Sequence, residues 1–129
     1  MDPTGGCRPL TQAEGGKLFE VQRYIDFFAR PGGVKADPSD VILGSIHAPP
    51  APVGVTLTMP CADQVNTPSC PILNHSCINT TNNIFFGDPG VRMSAVVNSA
   101  YTALPWSLCD VPYMQPMQDL AQKIIARLN

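Results

Sequence analysis

The sequence predicts an α/β fold of three helices on a sheet of two to three strands, and three observations carry that prediction. Apolar residues recur at helical spacing in three separate stretches. Two short β-branched or alternating runs lie between the first and second of these. The resulting order of helix, strand, strand, long loop, helix, short strand, helix alternates as layered α/β folds do. A chain of 129 residues has room for one core, so 1–129 is read as one domain. Two or three strands are too few to cover three apolar helices, and the sheet is expected to be incomplete.

Residues 1–16 hold four glycines and two prolines with no apolar periodicity, and read as loop. From Lys17 onward Leu18, Val21, Ile25 and Phe28 recur at helical spacing, widened by Tyr24 and Phe27, until Arg30-Pro31-Gly32-Gly33 ends the pattern. So apolar a helix expects burial. Asp37-Pro38-Ser39-Asp40 is turn chemistry leading into a β-branched run, Val41 to Ile46, that reads as a buried strand. Ala48-Pro49-Pro50-Ala51-Pro52 forces an extended turn, because each proline fixes its own φ and biases the residue before it away from helix. In the next run Val53, Val55, Leu57 and Met59 share one face of a half-buried strand.

Residues 60–87 form a long cysteine-bearing loop rich in Asn, Thr, Ser and Pro, longer than compact domains leave untied. Asp88-Pro89-Gly90 opens the second helix with Asp88 as cap and proline at the first helical position. Met93, Val96, Val97 and Ala100 form its apolar face. A short strand is expected around Trp106 to Leu108. Pro116 starts the last helix, in which Met117, Leu120, Ala121, Ile124, Ile125 and Leu128 make the clearest amphipathic stripe of the chain.

Composition excludes several functions. The chain is 44% hydrophobic and only 14% charged, so it expects sticky surface or surface meant to be covered. A net charge of −2 offers no basic stripe for phosphates, which argues against nucleic-acid binding. No apolar run approaches the ~20 residues of a membrane span. The start, Met1-Asp2-Pro3-Thr4, lacks the basic and apolar regions of a secretory signal, whereas five cysteines suggest an oxidising compartment. Cys7, Cys61, Cys70, Cys77 and Cys109 are odd in number and fit no short-spaced metal module.

Several pieces, in order, resemble one family: Cys7-Arg8-Pro9, the stretch Leu18 to Phe28, Asp37 to Ile46, Asp88-Pro89-Gly90-Val91-Arg92-Met93, and Ser107-Leu108-Cys109-Asp110 followed by Leu120-Ala121. Together they resemble the C-terminal half of von Willebrand factor A-like domains in bacterial extracytoplasmic proteins. The resemblance implies a partial doubly wound (Rossmann-like) sheet, the peripheral half of that fold. It also implies a periplasmic, cell-surface or secreted parent, and an unknown protein or surface ligand as partner. In the complete family domain a divalent cation sits on an Asp-x-Ser-x-Ser loop. This chain has none, and Asp37-Pro38-Ser39-Asp40, the nearest string, precedes a strand instead of following one. No metal ligand is therefore carried over, and no cofactor is expected.

Within that reading Met1 is an internal methionine, and the expected disulfides are Cys61 with Cys109 and Cys70 with Cys77. Cys7 is left unpaired, its partner lying upstream. Sequence alone permits fifteen ways of forming two disulfides from five cysteines. Self-association is expected through exposed apolar surface or Cys7.

Each residue set that suggests sharper chemistry also has a plainer explanation. His75 with Cys77, Cys70 and Cys61 lacks the paired spacing of structural zinc. His47 directly follows a strand, where α/β folds place functional side chains, and Ser45 shares its face, but no Gly-x-Ser-x-Gly elbow is present. Asp26, Asp40, Asp88 and Asp110 are candidate carboxylates, yet capping explains Asp88 and turn chemistry Asp40. No catalytic residue is assigned. The expected function is a non-enzymatic protein-binding or adhesion-type domain fragment, the alternative being a small secreted cystine-stabilised enzyme or inhibitor complete in itself.

Overall fold

The computed structural model describes residues 7–58, 70–110 and 112–128. It is mixed α/β, with helices α1 (Val21–Ala29), α2 (Val91–Val97) and α3 (Met114–Leu128). Among the described residues there are six short strands, β1 (Ile42–His47), β2 (Val55–Thr58), β3 (Cys70–Leu73), β4 (Cys77–Ile78), β5 (Phe86–Gly87) and β6 (Thr102–Ser107). They form three two-stranded sheets: β1 with β6, β2 with β3 and β4 with β5.

The parallel pair β1–β6 is the centre, in register from Ile42 opposite Thr102 to His47 opposite Ser107. Side chains alternate across it. Ser45 and His47 point towards α2, since Ser45 Oγ reaches His47 Nδ1 and His47 Nε2 reaches Ser94 Oγ. Gly44 points the other way, where Trp106 lies and where the Trp106 indole N–H reaches Asp119 of α3 at 3.5 Å. Helices thus cover opposite faces, α1 and α2 on one and α3 on the other. The end of α3 is pinned below β1, with Arg127 donating to the Ser39 carbonyl and to Asp40 Oδ1 at 3.4 Å.

The two outer edges of this pair differ. Leu108 N–H donates to the His47 carbonyl, so on β6 the even-numbered residues face β1 and Pro105 faces outward. Proline has no N–H to give a further strand and marks an edge. By the same alternation Leu43, Ser45 and His47 turn their backbone groups to β6. Ile42, Gly44 and Ile46 turn theirs to the opposite, open edge, where no backbone partner meets them among the described residues.

Gly44 is closely packed against Trp106. A Cβ there would come within 3.0 Å of the Trp106 ring. Gly44→Ala is expected to cost about 1–3 kcal/mol as an overpacked site, read as a lower denaturation midpoint at unchanged slope.

Several expectations are corrected. The second strand does not join β1: β2 pairs antiparallel with β3, Val55 opposite Leu73, after the prolines carry the chain away. Its predicted member Met59 lies outside the described residues. The long loop contains β3, β4 and β5, strands of two to four residues that are too short to show a period. Trp106 belongs to a six-residue strand, β6, longer than the sequence suggests.

The first helix is not buried. Val21 is its one buried residue, while Leu18 and Phe19 before it and Tyr24 and Phe27 within it stay exposed. The stripe of α3 is likewise open, with Met117, Ile124, Ile125 and Leu128 exposed. Asp88 does not cap α2: the N-cap is Gly90, and the Asp88 carboxylate instead meets His75 Nδ1 at 2.7 Å. Among the described residues no helix is long and apolar enough to cross a membrane.

The disulfides also depart from expectation. Cys77 is bonded to Cys109, which displaces both expected pairings, Cys61 with Cys109 and Cys70 with Cys77. Tertiary position decides the bond. β4 returns beside the end of β6, where Asn79 Nδ2 donates to the Cys109 carbonyl at 2.6 Å and leaves the cysteine Cα atoms 6.1 Å apart. Cys70 is also disulfide-bonded, and Cys61 lies outside the described residues. Cys7 is a free, exposed thiol.

Candidate functional site

At the carboxyl end of β1, His47 is 7% exposed and bridges two serines. The strand puts Ser45 and His47 on one face, and their side chains meet with Oγ to Nδ1 at 2.9 Å. From above, α2 presents Ser94, 6% exposed, whose Oγ lies 2.7 Å from Nε2. The approach depends on Gly90, where a Cβ would lie 2.7 Å from the imidazole and 2.6 Å from the Ala48 carbonyl. Gly90 N–H donates to that carbonyl, fixing the start of α2 against the end of β1.

A neutral imidazole has one donor and one acceptor, and two hydroxyls satisfy both in either tautomer. Burial pushes the His47 pKa below its ordinary value, because the charged ring would lose water without gaining an anion. A neutral ring of this kind can take a proton from Ser45. Nucleophilic catalysis also needs the base oriented by a third group, and here that group is the Ser94 hydroxyl, a weaker orienter than a carboxylate.

Ser45 also lines an open, mainly apolar groove of about 320 Å³, walled by Tyr24 and Phe28 of α1, Met93 and Val96 of α2, and Leu43 and Gly44 of β1. The groove lies on the α1/α2 face, beside the open edge of β1.

The other anticipated residues do not assemble. His75 stacks on Phe86 with ring centroids 4.1 Å apart and bonds Asp88, away from His47. Asp26 faces Gln22 and Arg30, and Asp40 faces Arg127. Cys77 is consumed in its disulfide. Asp37 Oδ1 accepts from Ser39 N–H at 2.8 Å, a turn cap that lowers the Asp37 pKa through the backbone hydrogen bond. It does not converge with Asp40 on an ion. Among the described residues no group of three His, Cys, Asp or Glu could hold a metal.

Ser94 is the participant that sequence reasoning missed. The expected helix face of Met93, Val96, Val97 and Ala100 did not include Ser94, which is buried in α2 together with Val97. A serine three residues before a buried valine was the available signal. Comparison of the chain with known protein families, with curated proteins and with solved structures finds no match.

Proposed function

We propose that the chain is a portion of a von Willebrand factor A-like domain of a bacterial extracytoplasmic protein, acting in non-enzymatic protein binding or adhesion without the metal loop. The observation that carries this reading is the parallel β1–β6 pair with helices on both faces, closed by Pro105 on one edge and open on the other. Parallel sheets are usually larger and covered on both faces, and this pair has the character of the outer strands of a doubly wound sheet. The Cys77–Cys109 disulfide suits an oxidising compartment. In this reading the Ser45–His47–Ser94 contacts are structural and tie α2 to the sheet.

Metal dependence is the direct test. An ion at one hundred times its Kd would add about 2.7 kcal/mol of stability. Thermal unfolding with and without millimolar magnesium should therefore agree within about 1 °C, the shift for such an ion being several degrees. A clear upward shift would sink the metal-free reading.

The serine–histidine contacts favour a second reading, a small cystine-stabilised hydrolase with Ser45 as nucleophile. A fluorophosphonate probe followed by peptide mapping separates the two. We expect no adduct; labelling of Ser45 that vanishes in His47→Ala would establish the enzyme.

A further inference from the structure

We propose that the open edge of β1 is a self-pairing surface: two copies of the chain join β1 to β1, antiparallel about Gly44, into one sheet ordered β6–β1–β1–β6. Outward-facing backbone groups of Ile42, Gly44 and Ile46 lack partners among the described residues and are spaced symmetrically about Gly44. A two-fold axis through that point sets Gly44 opposite Gly44 and Ile42 opposite Ile46. Each such pair exchanges N–H···O=C bonds in both directions. An isologous contact of this kind is closed and self-complementary.

Charge and shape agree with this occupant. Exposed edges are normally guarded by lysine, proline or a bulge. From Ile42 to Ile46 β1 carries no charge and no proline, so a second identical strand meets neither repulsion nor a missing donor. Pro105 guards the outer edge of β6 against the same event.

The two-fold keeps matching faces together. It brings α3 beside α3, with Met117, Ile124 and Ile125 exposed, and α1 beside α1, with Tyr24 and Phe27 exposed. On the α1/α2 face, Leu43 of the second copy falls opposite Ser45, at the groove of about 320 Å³. The proposal goes beyond the binding-domain reading and competes with it for one edge: further strands of a larger sheet would occupy the same backbone groups, whereas a dimer protected at Ile42, Gly44 and Ile46 requires that edge to be free for a second copy.

The test uses the chain with Cys7→Ser, which removes thiol cross-linking. Sedimentation equilibrium should show a concentration-dependent dimer. Amide exchange followed by NMR should show Ile42, Gly44 and Ile46 gaining about tenfold protection or more as the dimer forms. Leu43 and Ser45, bonded to β6, should stay protected throughout. Ile46→Pro deletes an outward N–H and spares the β1–β6 ladder, and should be monomeric. A monomer at all concentrations, a dimer whose outward amides exchange freely, or a folded Ile46→Pro dimer would each overturn the proposal. Should Ile46→Pro not fold, the exchange pattern of the Cys7→Ser chain decides alone.

Discussion

Replacing Cys77 and Cys109 together by serine should lower the unfolding free energy by about 4 kcal/mol, the loop-closure value for a separation of 32 residues. Against a total of roughly 5–15 kcal/mol for ordinary domains, that is the largest loss expected here. The bond does more than restrict the unfolded chain. It fastens β4, within the excursion between β1 and β6, to the end of the central sheet. Cys109 is buried, Ser107 Oγ accepts from its N–H at 3.1 Å, and Asn79 bonds its carbonyl. Urea unfolding of the double variant against the parent measures the loss. An unchanged midpoint would show that the excursion is held by other means.

The second large effect is expected at Ser94. Ser94→Ala leaves Nε2 of a buried histidine without its 2.7 Å partner, and an orphaned polar group costs about 1–3 kcal/mol. Replacing both partners, in Ser94→Ala with His47→Leu, should recover part of that cost, because the penalty belongs to the unpaired group. A double variant as unstable as the sum of its singles would contradict this.

Acidity gives the same site a second signature. The folded His47 pKa lies below its ordinary value, so as pH falls under about 6.5 the unfolded chain binds a proton that the folded chain refuses. The stabilisation is fully present above that pH and is lost as pH falls through the folded value. Urea midpoints from pH 7.5 to 5 should fall for the parent and fall less for His47→Gln, a comparison that separates His47 from His75.

A different carboxyl responds at lower pH. Hydrogen bonding from Arg8, then from Thr11, holds the Glu14 pKa down to about 2, so the turn closing the amino-terminal segment keeps this contact well into acid.

What the sequence made legible was local. Val41 to Ile46 announced a strand by β-branching between turn residues, and α3 announced itself by period, each signal lying within a few neighbouring side chains. Pairing was not legible, because it joins Ile42 to Thr102 across sixty residues. The same limit hid the disulfide partner of Cys77, which depends on where β4 returns. Val53 to Met59 looked like a companion for β1 because alternation shows a half-buried face without showing which neighbour covers it. Of the candidate site, Ser45 and His47 were readable as i and i+2 on one strand face. Ser94 was hidden inside an apolar helix pattern whose phase is set by packing on β1, and not by hydropathy alone.

The chain's one tryptophan sits where three elements meet: Trp106 on β6, its ring against Gly44 of β1 and its N–H towards Asp119 of α3. Its emission wavelength therefore reports on that face alone. The disulfide circular dichroism, to which Cys77–Cys109 and the bond at Cys70 both contribute, reports on the excursion between β1 and β6. Two optical channels in one unlabelled chain can thus show whether the α3 layer and the disulfide-anchored excursion come apart in one transition or in two.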